Sequence, residues 1–412
     1  MKIAELNMFS YGSTGKIMLQ IADTARKYGH TVKTYSTVPF DKKERSTADL
    51  PQDHFVWGSE TENKIHYYLG STFGTNGCYS KSGTSKLIRD LKKFDPDIIH
   101  LHNLHKFCIN LPMLFRYIKS NNIRVIWTLH DCWAFTGHCP HFTMSGCDKW
   151  KTGCFNCPQL SIYPKSRIDN TRYMYYKKSR WFTGVKNMTV VTPSKWLAEL
   201  VKQSFLKEYP VKVINNGIDL SVFRPRQSDF KRSYNIPKNK YIVLGVAFGW
   251  GERKGLDVFC ELANRLDRAK YQIVLVGTND ETDTLLPENI ISVHKTQNQI
   301  GLAEIYTAAD LFVNPTREEN YPTVNMEAIA CGTPVLTFKT GGSPEIIGEN
   351  TGSVVLCNDI EALESEIIRI CTTSPYSADN CTEYAKTFDM NEKFEEYVKL
   401  YEDCTYSAER TL

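Results

Sequence analysis

The sequence predicts an α/β chain of two parallel-sheet lobes, and three observations carry that reading. Its 412 residues, 42% hydrophobic and 12% aromatic, exceed what one core usually holds. Short β-rich runs alternate with amphipathic stretches, the rhythm of βαβ units, and the rhythm occurs in two separate sets. Two of the runs, IIHLH and VIWTLH, end in histidine, and in an open parallel sheet the carboxyl ends of the strands face the ligand crevice.

The first set places strands at 2–7, 31–35, 97–101 and 123–129, with a helix over 15–28. After a loop ending near Arg226, the second set places strands at 241–247, 271–276, 310–314 and 334–338, separated by helix-patterned segments. Each set is Rossmann-like. The helix through 327–331 stops at Gly332 with Pro334 beyond it, a left-handed glycine followed by a residue that cannot continue the helix. Residues 390–401 repeat apolar side chains at helical spacing and predict a closing helix. The expected domains are 1–225, carrying a cysteine-rich insertion at about 132–160, then 226–390, then a closing helix and tail over 391–412.

Composition narrows the function. A net charge of +4, from 50 basic against 46 acidic residues, is too balanced for wholesale coating of nucleic acid. The first residues hold no apolar core of an export signal, and the longest apolar run, 241–250, is too short to span a bilayer, so the chain reads as soluble and cytoplasmic. Thirteen cysteines in such a chain argue for reduced thiols or metal ligation rather than a disulfide framework.

The sharpest motif is Glu319-Asn320-Tyr321-Pro322-Thr323-Val324-Asn325-Met326-Glu327, followed by Cys331-Gly332-Thr333-Pro334-Val335 and Gly341-Gly342-Ser343-Pro344-Glu345. A helix starting near Thr323 offers free N–H groups to an anion such as a diphosphate, with Thr323 and Val324 in its first turn. Two carboxylates eight residues apart, Glu319 before the helix and Glu327 within it, can accept hydrogen bonds from sugar and ribose hydroxyls. Gly341 and Gly342 would let the backbone approach a ligand closely. The second motif, Trp250-Gly251-Glu252-Arg253-Lys254-Gly255-Leu256-Asp257, follows a strand and opens a helix, so Lys254 and Arg253 can neutralise phosphate charge.

These motifs resemble the donor signature of retaining GT-B glycosyltransferases of family 4, also called group 1, and in particular transferases of the colanic-acid and exopolysaccharide type. The resemblance implies two Rossmann-like domains facing across a cleft, with a C-terminal helix packing back toward the N-terminal domain. It implies transfer of a hexose-type sugar from a UDP-, GDP- or ADP-linked donor to a glycan or lipid-linked oligosaccharide, in bacterial exopolysaccharide, capsule or O-antigen synthesis. No cofactor or divalent metal is then required for catalysis. Glu319 corresponds to the contact with the transferred sugar, Glu327 to the ribose holder, and Lys254 to the lysine on the donor diphosphate. The family's arginine five residues before that lysine falls on Gly249, with Arg253 as a substitute. Gly12 and Gly15 fall beside the sugar and β-phosphate, and His130 corresponds to a histidine that touches the donor sugar. Residues 190–225 resemble the family's interdomain stretch.

Gly12-Ser13-Thr14-Gly15-Lys16 also has the look of a phosphate loop, but its spacing fails the GxxxxGK pattern, and a simple tight strand-to-helix turn is the lesser alternative to the family's role for the two glycines. His102, ending the neighbouring strand, is a candidate for the acceptor side or a packed residue; His100 and His105 read as packed. Five cysteines crowd between Cys132 and Cys157, and Cys139, Cys147, Cys154 and Cys157 could hold a structural zinc, the alternatives being free buried thiols or a disulfide. Residues 165–186 interleave seven basic residues with Tyr173, Tyr175, Tyr176, Trp181 and Phe182, a composition suited to an anionic membrane surface or, without any partner, to an ordinary solvated helix. Two rivals stay open: a nucleotide-sugar epimerase on the same fold, and a non-catalytic, zinc-ordered protein that binds nucleic acid or membrane.

Overall fold

A computed structural model describes residues 1–38 and 50–409, with side chains to Asp403; the expected tail at 410–412 lies outside the described residues. The chain divides into two compact units, Met1–Asn215 with Phe394–Leu412, and Asn216–Lys393.

In the first unit, seven strands form one parallel sheet: β1 (Lys2–Leu6), β2 (Thr31–Thr37), β3 (His54–Trp57), β4 (Ile98–Leu101), β5 (Arg124–Thr128), β6 (Met188–Thr192) and β7 (Val211–Val213). Their order is β3-β2-β1-β4-β5-β6-β7. The chain winds outward from β1 through β2 to β3, then returns to β4 on the other side of β1. The loops after β1 and β4 therefore flank a topological switch point, where such sheets bind ligands. The sheet is covered by helices, so β4 and β5 are almost wholly buried and read as apolar runs. The helix Gly12–Lys27 turns Ile17, Met18, Ile21, Ala22 and Ala25 inward at spacings of three and four.

The second unit repeats the plan with six strands: β8 (Tyr241–Val246), β9 (Tyr271–Val276), β10 (Ile290–Val293), β11 (Leu311–Asn314), β12 (Val335–Phe338) and β13 (Gly352–Val355). The order β10-β9-β8-β11-β12-β13 puts its switch point between β8 and β11.

Two expectations need correction. The unit boundary falls at Asn215/Asn216, not at 225/226, because the segment after Asn216 is claimed by the second unit. Ile218 and Phe223 enter its core. Ile218 N–H donates to Phe388 O at 2.8 Å, and Met390 N–H donates to Ile218 O at 3.1 Å. Gly217 is required there, since a Cβ would stand 2.3 Å from Met390 Cα. Correspondingly, the first part of the 190–225 stretch is no linker: Met188–Thr192 and Val211–Val213 are strands of the first sheet, joined by the helix Lys195–Gln203. The closing helix runs from Met390 to Glu409, and its end packs Tyr397 and Tyr401 completely into the first unit.

Candidate active site

In the second unit the two donor motifs meet at the switch point. The loop after β8 ends in a single 3-10 turn, Glu252–Lys254, before the helix Leu256–Arg265; the loop after β11 runs through Glu319 into the helix Thr323–Ala330. Lys254 Nζ donates to Glu319 Oε2, and the two side chains are 20% and 18% exposed. The loops are laced together around that pair. Arg317 N–H donates to Arg253 O at 2.9 Å, and the Arg253 guanidinium donates back to Glu318 O at 3.2 Å. Arg317 then grips Asp257 with two hydrogen bonds of 2.8 and 2.6 Å, which holds the Asp257 carboxyl below the usual carboxylate range. Arg253, expected on the donor phosphates, also braces the Glu319 loop. Gly249, where the family arginine would fall, has φ +84, a conformation that arginine adopts only under strain.

The glycine pair has a local reason as well. Gly341 has φ +55, and a Cβ on it would lie 1.8 Å from Glu319 O; Gly342 N–H donates to Asn320 O at 2.8 Å. The close approach in this structure is to the backbone of Glu319, which it pins. Thr323 and Val324 form the half-buried first turn of the helix, and its N-cap, Pro322, contributes no side-chain bond. One turn in, Glu327 Oε2 accepts from the hydroxyl of Tyr306 at 3.3 Å; burial and the Glu327 charge raise that phenol well above its ordinary range.

In the first unit, Gly12 has φ +70 and open space around its Cβ position, whereas a Cβ on Gly15 would meet the backbone of Ser10 at 2.6 Å. Gly15 is therefore needed by the strand-to-helix turn itself. His130, just beyond β5, places Nε2 3.0 Å from His102 Nδ1, their rings stacked 5.4 Å apart. His102 Nε2 lies 3.0 Å from Glu5 Oε2. Burial, and then the neighbouring histidines, push His102 down to about 4 and His130 to about 3, so both are neutral near pH 7. Burial alone would raise the Glu5 carboxyl, but His100 and His102 hold it at about 2. Alongside, Asp131 accepts from His105 Nε2 at 2.9 Å and from Trp133 N–H at 2.8 Å. Sequence reasoning missed Glu5, although a lone carboxylate inside the strand KIAEL was a visible signal.

Two surface expectations change. Lys178, counted in the basic stretch 165–186, is fully buried, donates to Trp133 O and lies 3.5 Å over the Trp133 ring. Burial depresses its ammonium to about 7. The helix Thr171–Phe182 turns Met174, Tyr175, Lys178 and Phe182 inward and leaves Tyr173 and Tyr176 half exposed. In the cysteine-rich loop, Cys139, Cys147, Cys154 and Cys157 line one small cavity. A hydrogen bond from Cys139 lowers the Cys157 thiol below its ordinary value, and Cys154 Sγ accepts from Gly137 N–H at 3.1 Å. Among the described residues, the three-member set whose ligand atoms lie within 4.8 Å of one another is Glu5, His100 and His102; the loop thiols are not gathered that closely.

The profile of Glycosyltransferase Family 4 matches residues 15–222, half of the chain, and that of Glycosyl transferases group 1 matches residues 226–388. The chain belongs to glycosyltransferase family 4. This glycosyltransferase is 24% identical to the putative colanic acid biosynthesis glycosyl transferase WcaC of Escherichia coli (strain K12), over 75% of this chain and 76% of the relative. Among solved structures it resembles sucrose-phosphate synthase from Thermosynechococcus elongatus, with TM-score 0.72 and 19% identity over 98% of this chain and 99% of the other. It also resembles Anabaena HepE in complex with UDP and glucose, with TM-score 0.67 and 15% identity over 98% and 100%. The two parallel-sheet units of the glycosyltransferase are those of the GT-B architecture. Among the described residues, no helix is long and apolar enough to cross a membrane.

Proposed function

We propose that this glycosyltransferase is a retaining, metal-independent hexosyltransferase that moves a sugar from a UDP-, GDP- or ADP-linked donor to a glycan or lipid-linked oligosaccharide in bacterial exopolysaccharide, capsule or O-antigen synthesis. The observation that carries the reading is the pairing of Lys254 with Glu319 at the β8/β11 switch point, beside a helix N-terminus and Glu327. Binding of HepE to UDP and glucose, and the colanic acid role in the name of WcaC, support the donor class and the pathway class.

In this reading the donor diphosphate displaces Glu319 from Lys254. The bond between the anomeric carbon and the phosphate oxygen breaks, and Lys254 with the N–H groups of Thr323 and Val324 stabilises the charge that grows on the departing phosphate. The acceptor hydroxyl attacks on the face the phosphate leaves, and its proton passes to that phosphate. Glu319 accepts from sugar hydroxyls, Glu327 from the ribose, and Tyr306 orients Glu327. His130 meets the transferred sugar, Gly12 and Gly15 let the first unit's backbone come near it, and His102 stands behind His130 rather than against the acceptor.

Two finer readings go with it. A zinc ion on Cys139, Cys147, Cys154 and Cys157 would staple the irregular loop; the shared cavity and the acidic Cys157 thiol support it. One zinc per chain by mass spectrometry, lost in Cys154→Ser, is the expected result. Peripheral contact with anionic membrane is supported by exposed Ile162, Ile168, Tyr173 and Tyr176, and by Tyr67 and Tyr68 on the helix Glu60–Phe73, which Arg167 N–H ties in through Ser71 O at 2.9 Å.

The deciding experiment is thermal stabilisation by UDP, GDP and ADP compounds and their sugars, with Lys254→Ala and Glu327→Ala alongside. A shift with one nucleotide series, lost in both variants, is expected, followed by retention of anomeric configuration in the NMR spectrum of the product. If no nucleotide shifts the wild type, the donor-site reading fails.

A further inference from the structure

Beside Trp133, on the turn that follows β5, the first unit holds a small polar cavity. Asn76, His138 and Lys178 line it together with Trp133, Phe107 and Met174, and its space for a water-sized sphere is about 10 Å³, room for one water molecule. The three polar residues come from separate segments. Asn76 follows the helix Glu60–Phe73, His138 stands in the cysteine-rich loop, and Lys178 lies on the helix Thr171–Phe182.

Their bonding is incomplete in a matched way. Asn76 is 8% and His138 6% exposed, yet Asn76 Oδ1 and His138 Nε2 have no protein partner. Buried polar atoms are satisfied by protein groups or by internal water. Asn76 Nδ2 donates to His105 O at 2.6 Å, which fixes the amide's orientation and leaves Oδ1 as the acceptor. The Ile162 carbonyl accepts from the ring of His138, which puts the proton of the neutral imidazole there and leaves Nε2 as a lone pair. Lys178, fully buried, brings three N–H groups, of which Trp133 O takes one. The cavity therefore offers two acceptors and a surplus donor. An anion would meet two lone pairs, and a cation would meet the ammonium. A water molecule accepts from Lys178 and gives its two protons to Asn76 and His138.

We propose that the cavity is a binding site for a single internal water, bonded to Lys178 Nζ, Asn76 Oδ1 and His138 Nε2, that braces the loops after β4 and β5. The brace acts through bonds already in place. Asn76 holds His105 O and Lys178 holds Trp133 O, while Asp131 joins the two loops by accepting from His105 Nε2 at 2.9 Å and from Trp133 N–H at 2.8 Å. One water thus ties the cysteine-rich loop and two helices to the carboxyl edge of the first sheet, where such sheets bind ligands. The site requires neither the donor reading nor a zinc ion.

The test is a crystal structure of the full chain at a resolution that shows water, with a bromide soak alongside, and hydrogen exchange by mass spectrometry on wild type, Lys178→Met and His138→Phe. One water within hydrogen-bond distance of all three atoms is expected, with no anomalous signal at its position. Each variant is expected to lose it, and exchange in peptides covering 103–109 and 131–138 to quicken several-fold. Direct bonds from Lys178 to both acceptors, an empty cavity, bromide at the site or a metal ion on His138 Nε2 each overturn the proposal. Unchanged exchange in folded variants that have lost the water overturns it too. Should neither variant fold, the wild-type structure decides.

Discussion

In the first unit Glu5, His100 and His102 are sealed from solvent and commit their polar atoms to one another and to Thr128, His130 and Tyr401, whereas in the second unit Lys254 and Glu319 pair with about a fifth of each side chain exposed. The difference separates scaffolding from exchange. A buried ion set is costly to break, because removing one member leaves an uncompensated charge or unpaired donors. A partly exposed pair contributes only about 0–1 kcal/mol, so in the proposed function a diphosphate takes Lys254 from Glu319 at little cost. Charges that must preorganise a group are buried here, and charges that must change partners are not.

Acid should separate the two units most strongly. Nine of the ten histidines belong to the first unit. Burial depresses His54, His102 and His138 to about 4, and His66 and His130 to about 3. An unfolded chain binds protons on these rings below about 6.5 while the folded unit does not, so their stabilisation is full above that pH and is lost as pH falls through their folded values. Glu5, at about 2, adds a loss that begins near its ordinary value of 4.5 and continues downward. The lone histidine of the second unit, His294, is exposed and raised by its bond to Asp283, which works in the opposite direction. Six of the seven tryptophans report on the first unit. Their fluorescence should collapse between pH 6.5 and 4 while a second transition survives; one concerted transition would contradict the comparison.

Glu5→Ala should destabilise the first unit by about 3–5 kcal/mol in urea titration, since it leaves His100, His102 and Tyr401 without their acceptor. Lys254→Ala should do the reverse, lowering kcat by roughly 10²–10³-fold, about 3–4 kcal/mol of transition-state stabilisation, with unfolding shifted by less than about 1 kcal/mol. A large stability loss in Lys254→Ala would mean that the pair is structural. Tyr306→Phe should be the mildest. It removes the hydroxyl on Glu327 and should weaken nucleotide binding several-fold, about 1 kcal/mol, measured by calorimetry.

Much of the second unit was legible in the sequence, because its candidate site is local. Glu319 and Glu327 lie eight residues apart on one loop and helix, and the glycines that shape that loop follow within the same stretch. The helix begins at Thr323, where the free N–H argument puts it. The first unit was legible only in outline. The four strands expected there are present, but β3 and the three-residue β7 carry too short a pattern to announce themselves. The partners of Glu5 stand 95, 97 and 396 residues away, which no spacing rule connects. Lys178 was misjudged for a similar reason. Composition marks a lysine among basic and aromatic residues as surface, while helical phase, which turns it onto the face of Met174, Tyr175 and Phe182, marks it as core.

The closing helix has a consequence for synthesis. Tyr401 completes a cluster that begins at Glu5, so the first unit lacks an inner part until residue 401 has been synthesised. Until then the Glu5 carboxylate and two imidazoles sit beneath an open site where two tyrosines belong. The order of folding is thereby inverted relative to the order of translation: the second unit, continuous from Asn216 to Lys393, can finish before the first. A nascent chain arrested before residue 397 should present a folded C-terminal unit and an N-terminal one still open to proteases.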